Sequence, residues 1–393
     1  MLPYSHQSIN ERDAQAVVET LYSDWLTTGP KIREFEHAFA RWVGAGEAVA
    51  VSSGTAALHA AMHVLGIGPS DEVIVPALTF VASANCVVYQ DATPIFADVD
   101  AETLLIDPKD VEAKITPRTR AIIAVDYGGQ PCNYDALKEI ACSRPSISLV
   151  ADACHSLGAT DGGRPAGTLA DLNVFSLHPV KAMTTGEGGV VTTESFETAH
   201  RMRCFRNHGV TSDHFQREQQ GSWLYEMVEL GHNYRLSDVQ CALGLSQLQR
   251  LADSIARRRA IACRYNEAFH HLAGVCPVRA RPNVESAYHL YVVRLDLTCL
   301  SADRGKIFAA LRAEGIGVNV HYLPVHLHPF YRRRFGLAPG YCPNAEAAYE
   351  KVLSLPLFPA MEERDVEDVI EAVWKVIGAY AVDTRAAVVA GSR

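Results

Sequence analysis

Apolar positions along the first two thirds of the chain switch between two periods. From 11 to 26 they recur at helical spacing until Thr27-Thr28-Gly29-Pro30 breaks the run, and 32–43 repeats the pattern. Short unbroken apolar runs then alternate with further helical stretches. The runs predict strands at 48–52, 72–76, 93–98, 121–127 and 146–152. The stretches between them predict helices at 55–65, stopped by Gly66 and Gly68, and at 80–89, 107–115 and 133–142. Two more strands are expected at 171–176 and 189–193. Strands that are apolar throughout, with amphipathic helices between them, indicate an α/β fold: a mainly parallel sheet covered on both faces.

The pattern then changes. Positions 237–268 read as one helical run with a break near Asp253, of the kind that bridges two domains. After it come a strand at 288–297, a helix at 303–314, a strand at 318–322 and a final helix at 366–380. The expected division is a large domain over 1–250 and a smaller α+β domain over 251–381. The Ala/Val-rich remainder, 382–393, reads as a fraying tail.

Composition narrows the function. Of 393 residues, 48% are hydrophobic and 21% charged, as in ordinary globular proteins, and the net charge is −9. That balance argues against a nucleic-acid partner, whose phosphates need a basic face. The first ten residues are polar, and no apolar run is long enough to span a membrane. Ten cysteines stand singly with no C-x-x-C, which fits reduced thiols in the cytoplasm.

The candidate chemistry centres on Ser176-Leu177-His178-Pro179-Val180-Lys181, followed by Thr184-Thr185-Gly186-Glu187-Gly188-Gly189 and preceded by Asp152. Lys181 alone would read as a solvated lysine, Asp152 as a turn cap and Ser176 as a surface serine. Their order changes the reading, because each is expected at a strand-to-turn or strand-to-helix junction, where open α/β sheets bind ligands. Upstream, Ser52-Ser53-Gly54-Thr55-Ala56-Ala57 joins a strand to a helix. Small residues and free amides there suit a phosphate, although such a stretch commonly does no more than cap a helix. A phosphate cup, an aspartate to hold a pyridine nitrogen protonated and a lysine to form a Schiff base are what pyridoxal 5′-phosphate (PLP) requires. His155 could orient Asp152, line the pocket or be structural, and Phe80 could stack on the ring or be core. In Gly231-His232-Asn233-Tyr234-Arg235, Asn233 and Arg235 could bind anions, or the cluster could simply be a loop entering the long helix. His321-Tyr322-Leu323-Pro324-Val325-His326 holds groups with tunable protons, but its two histidines make a poor metal site, so no metal is expected.

These motifs, with Ser23-Asp24-Trp25-Leu26-Thr27-Thr28-Gly29-Pro30, Leu58 after Ala57 and Leu353-Ser354-Leu355-Pro356-Leu357, resemble the DegT/DnrJ/EryC1/StrS sugar aminotransferases over roughly 3–377. The resemblance implies the aspartate-aminotransferase fold (type I) and a homodimer with active sites at the subunit interface. It implies Lys181 as the Schiff-base lysine and Asp152 as the pyridine-nitrogen partner. Gly54, Thr55, Ala56 and Ser176 would hold the phosphate, Asn233 would reach it from the other subunit, and Phe80 would stack on the ring beside His155. Tyr4, Thr28, His178, Glu187, Arg235, His321, Tyr322 and His326 are the candidate substrate-binding residues. Val125-Asp126-Tyr127-Gly128-Gly129-Gln130, Phe175-Ser176-Leu177 and Gly244-Leu245-Ser246-Gln247-Leu248 look most like the enzymes of pseudaminic acid biosynthesis. Leu177, however, replaces the commoner Phe. Those enzymes move the amino group of L-glutamate to C4 of a UDP-linked 4-keto-6-deoxy-hexosamine by ping-pong transamination. The alternatives are another keto-sugar (dTDP- or GDP-linked, C3 or C4), a sugar dehydratase on the same fold, and a non-catalytic regulatory homologue. Lysine at 181 counts against the dehydratase.

Overall fold

The structure is a computed structural model that describes residues 1–144, 146–212 and 214–382. The expected fraying tail, from 383 onward, lies outside the described residues. In chain order the first strands are β1 Glu47–Val51, β2 Glu72–Pro76, β3 Thr93–Ala97, β4 Thr119–Val125 and β5 Ser148–Asp152. A hairpin of β6 Thr160–Asp161 and β7 Arg164–Pro165 follows, then β8 Leu172–Ser176 and β9 Gly189–Thr193. Seven of these form one sheet in the order β1-β9-β8-β5-β4-β2-β3. Every neighbouring pair is parallel except those of β9, which runs against both β1 and β8. The other strands therefore end at one edge, where β9 begins. This is the mainly parallel α/β architecture of the type I fold, with Phe35, Phe39, Leu58, Ile122, Val150 and Phe175 among its buried core.

A second core lies in the C-terminal part. Strands β10 Val275–Pro277, β12 Tyr291–Leu295 and β13 Val352–Leu355 form an antiparallel sheet, while β11 Val284–Glu285 pairs with β6. Helices Leu251–Phe269, Arg304–Ala313 and Glu363–Tyr380 supply Ile261, Tyr265, Ile307, Leu311, Val369 and Val373 to this core. Among the described residues no helix is long and apolar enough to cross a membrane.

Several elements depart from the sequence reading. The first helix ends at Leu21 rather than 26, because Ser23 Oγ donates to Thr20 O and the chain turns there. The run at 237–268 is two helices, Asp238–Gln249 and Leu251–Phe269, broken at Arg250 rather than near Asp253. Arg250 leaves helical geometry (φ −114°, ψ 9°) with its guanidinium on Ser8 and on Asp13, 2.6 Å away. The strand expected at 318–322 is only a single bridge between Asn319 and Ser354, beyond which His321 spends its ring on Ser354 Oγ. Helices Phe196–Phe205 and His214–Gln220 fill a stretch in which the pattern indicated none.

One buried ion pair ties helix Pro30–Val43 to the sheet. Glu36, almost wholly buried, accepts from the backbone of Ala50 in β1 (2.9 Å), from Arg203 (3.2 Å) and from Arg206. Its carboxyl stays below the usual range because those guanidinium charges outweigh the desolvation that opposes them. Glu36→Ala should cost about 3 kcal/mol or more, since it leaves buried charge unpaired. Thermal unfolding would show this as a clear drop in Tm, whereas Arg201→Ala, which loses one bond to Val64 O, should shift it little.

Candidate active site

The shared sheet edge builds a polar cup. β1 ends at Val51, and Ser53 caps helix Gly54–Val64, its Oγ accepting from Ala56 N at 3.0 Å. The first amides of a helix have no intrahelical acceptor and sit at the positive end of its dipole. Ser176, the last residue of β8, pairs with Gly189, which in turn faces Val51. A Cβ on Gly189 would stand 2.3 Å from Ser53 O, and one on Gly54 would stand 3.0 Å from Ser176 Cβ. Only glycine at 189 lets that strand reach the Ser53 carbonyl, and with Gly54 against the Ser176 side chain the start of the helix faces the end of β8, where a phosphate would be held.

Beside the cup, Asp152 ends β5 almost fully buried. Its Oδ2 accepts from Ser83 Oγ (2.6 Å), which also bonds Thr79 Oγ1 (2.8 Å), and its Oδ1 accepts from Cys154 N (3.3 Å). Lys181 lies in the turn from β8 to β9. That turn is closed by Leu177 N on Gly188 O (2.8 Å), Thr185 N on Leu177 O (3.1 Å) and Lys181 N on His178 O (2.9 Å). Burial holds the Lys181 amine below the usual lysine range, against the pull of Cys154 and Asp152. A lowered amine is a base at milder pH than free lysine. A lysine, a braced carboxylate and a phosphate cup on one edge are the parts a pyridoxal phosphate site needs.

Imidazoles enclose the amine. His289 Nε2 lies 3.5 Å from Lys181 Nζ, and the rings of His155 and His289 are 4.3 Å apart. His155 Nε2 and the Tyr322 hydroxyl are 3.2 Å apart, and Tyr127 OH donates to His321 O. Burial first, then the Lys181 charge, pushes His155 and His289 well below the usual histidine range and His321 down to about 4. All three are neutral near pH 7. Tyr4 packs on His321 (5.5 Å between rings), and Phe80, 57% exposed, tilts 6.0 Å from Tyr322.

The structure thus gathers Gly54, Ser176, Asp152, His155, Lys181, His321, Tyr322, Tyr4 and Phe80, and sets Thr55 and Ala56 in the first turn of the cup helix. It does not gather the others around Lys181. Thr28 and Arg235 line a separate cavity with Glu36, Arg206 and Asn207, where Arg235 donates to Asn207 Oδ1 at 2.7 Å. Asn233 is exposed and bridges Asn207. His178 and Glu187 are exposed on the lysine turn. His326 is wholly buried against Glu346 (2.8 Å) and Phe96. Sequence reasoning missed His289, Ser83 and Cys154. The usable signal was polarity out of place, as in a histidine opening an apolar strand.

Comparisons with known proteins point one way. The profile of the DegT/DnrJ/EryC1/StrS aminotransferase family matches residues 7–374. The spore coat polysaccharide biosynthesis protein SpsC of Bacillus subtilis is 43% identical, over 96% of this chain and 97% of its own. Among solved structures, Spr1654 from Streptococcus pneumoniae in its PMP-form is 34% identical with a TM-score of 0.90, over 96% of this chain and 100% of that one. A PLP-form of the same protein superimposes equally well. Helicobacter pylori PseC, an aminotransferase involved in the biosynthesis of pseudoaminic acid, is 30% identical with a TM-score of 0.89, covering 96% and 100%.

Under the site, Asp126 follows β4 and accepts from Ser156 Oγ (2.5 Å), Tyr134 OH (2.7 Å) and Cys132 N (2.9 Å). Burial outweighs those bonds and, with a smaller push from Asp152, raises its carboxyl to about 7. The folded chain therefore holds a proton that the unfolded chain releases near pH 4. That contribution to stability is full at low pH and is lost as pH rises toward 7. Asp126→Asn abolishes the titration, so its Tm relative to the parent should rise by roughly a few degrees between pH 5 and pH 8. A constant difference across that range would refute the assignment.

Proposed function

This chain belongs to the DegT/DnrJ/EryC1/StrS aminotransferase family and is a PLP-dependent sugar aminotransferase, and we propose that it moves the amino group of L-glutamate to a nucleotide-linked keto-sugar. The observation that carries this reading is the half-buried Lys181, its amine held below the usual lysine range by burial, beside the braced Asp152 carboxylate and the Gly54–Ser176 cup. Pyridoxal phosphate, when bound, supplies a carbonyl that takes up an amino group and a ring that accepts the electron pair left by a departing proton. The Asp152 carboxylate, oriented by Ser83 Oγ and Cys154 N, would keep a proton on the pyridine nitrogen. Gly54, Thr55, Ala56 and Ser176 would hold the phosphate, and Phe80 and His155 would lie beside the ring. Lys181 Nζ would anchor the cofactor and, as a base, would take the proton from Cα of glutamate and give it up again to the cofactor's carbonyl carbon. Tyr4, His321 and Tyr322 face the sugar.

The finer substrate reading is a UDP-linked 4-keto-6-deoxy-N-acetylhexosamine aminated at C4. Its support is the resemblance carried by Val125–Gln130 and Phe175–Lys181 and the overlap with PseC. The higher identity to SpsC favours testing other keto-sugars beside it. A cytoplasmic setting belongs to the same proposal and is supported by ten free cysteines. A large domain over 1–250 and a small one over 251–381 is also proposed, supported by the second core, whose buried members all lie beyond 250, and by the break at Arg250.

The test is the absorption spectrum of the purified protein. A band near roughly 410–430 nm should shift to about 330 nm with L-glutamate and return only with the keto-sugar nucleotide that is the acceptor. A band unmoved by glutamate rejects glutamate as donor. Lys181→Ala should lose turnover and retain no cofactor mass after borohydride treatment.

The partner we propose is a second copy of this chain. Trp223, Leu224, Met227, Val228 and Leu230 stand in solvent, Trp223 at 85% exposure, next to the exposed Asn233. An apolar strip of this kind marks an interface. Two copies would let Asn233, Arg235 and Thr28 complete each other's sites. In sedimentation the protein should run as a dimer, and the double substitution Trp223→Asp/Leu230→Asp should give monomers without turnover. Active monomers would refute shared sites.

A further inference from the structure

We propose that His289 is a positioning residue for Lys181: its neutral imidazole accepts a hydrogen bond at Nε2 from the lysine amine whenever that amine is free of the cofactor. The proposal rests on the aminotransferase reading above. His289 is buried, and its Nε2 lies 3.5 Å from Lys181 Nζ. Its other ring nitrogen, Nδ1, is buried without a partner. Here the lysine amine is the polar contact that the ring makes.

The backbone beneath the ring is held from two sides. Ala287 N donates to Gly129 O (2.9 Å) and Leu290 N to Gly128 O (3.1 Å). Gly129 has a φ of +113°, and a Cβ there would stand 2.7 Å from Tyr288 N and 2.8 Å from His289 N, so only glycine admits this contact. From the other side the buried Arg258 donates to the carbonyls of Leu357 (3.0 Å), Tyr288 and His289 (3.4 Å each). The backbone that carries the ring is thus held in place beside Lys181.

The surroundings decide which form the ring takes. The titratable groups facing it are Lys181, His155, Arg258 and His321, each cationic when protonated, while Asp152 and Cys154 face the amine. A second positive charge on this face would repel the lysine, so the ring stays neutral and keeps a lone pair to offer. His155 cannot serve in its place, because its Nε2 is engaged by Tyr322 OH at 3.2 Å.

The first readout is the reactivity of Lys181 in the cofactor-free enzyme. Arylation by fluorodinitrobenzene is followed by peptide mass across pH 6–10, in the parent, His289→Leu and His289→Gln. Loss of the acceptor leaves a buried ammonium without its partner, so the Leu midpoint should fall by about 0.5 pH unit or more. The Gln variant offers an amide oxygen near Nε2 and should return toward the parent. In the loaded enzyme, the Leu variant should slow the glutamate half-reaction about tenfold with the KM for glutamate unchanged. Coincident midpoints in parent and Leu, at unchanged Tm, would overturn the role, as would a Gln variant that behaves like Leu. The two readings fail separately. If borohydride fixes no cofactor mass on Lys181 in the parent, the aminotransferase site is wrong. If the mass is there and the midpoints coincide, only the role of His289 falls.

Discussion

An ammonium group taken out of water costs several kcal/mol unless an opposite charge is close and well oriented. The Lys181 amine sits under that constraint, and much of the surrounding structure answers it. One carboxylate, Asp152, offsets the charge, and it is held by Ser83 and the Cys154 amide. The remaining polar neighbours on the far side are imidazoles that burial keeps neutral. The balance leaves the amine less basic than a free lysine, which suits the proton transfer proposed for it.

The fold meets that constraint by reversing a single strand. Because β9 runs against β8 and β1, the turn carrying Lys181 lies at the edge where β1, β5 and β8 end. Glycines at 54 and 189 then let the start of the helix after β1 and the end of β8 approach each other closely. The C-terminal part of the chain closes the other side with His289, His321 and Tyr322, and Arg258, bonded to the backbone carbonyls of Tyr288, His289 and Leu357, braces the seam. The site therefore belongs to neither core by itself.

The cavity lined by Thr28, Arg235 and Asn207 follows the same logic at larger scale. Its residues carry the motif signature of the family yet lie apart from Lys181 within one chain. The exposed apolar strip at 223–230 runs beside the segment that bears them. A second copy seated there would bury the strip and give those residues a site to serve.

How much was legible in the chain itself follows from the range of the forces involved. Strand and helix positions, the cup at Ser53-Gly54-Thr55, and the order Asp152, Ser176, Lys181 are local patterns. Apolar period and glycine placement declare them before any packing is known, so the sequence by itself determined the α/β class and the central chemistry. Tertiary structure decided what depends on distant partners. Arg250 left its helix to reach Asp13, and 318–322 lost strand pairing to a single contact with Ser354. His326, equal in sequence to His321 as a tunable group, was buried against Glu346. His289 was drawn to Lys181 across more than a hundred residues of chain, because the Gly128-Gly129 turn and Arg258 fix its backbone there. No periodicity records such a meeting, since it arises from which surfaces fit once both cores have formed.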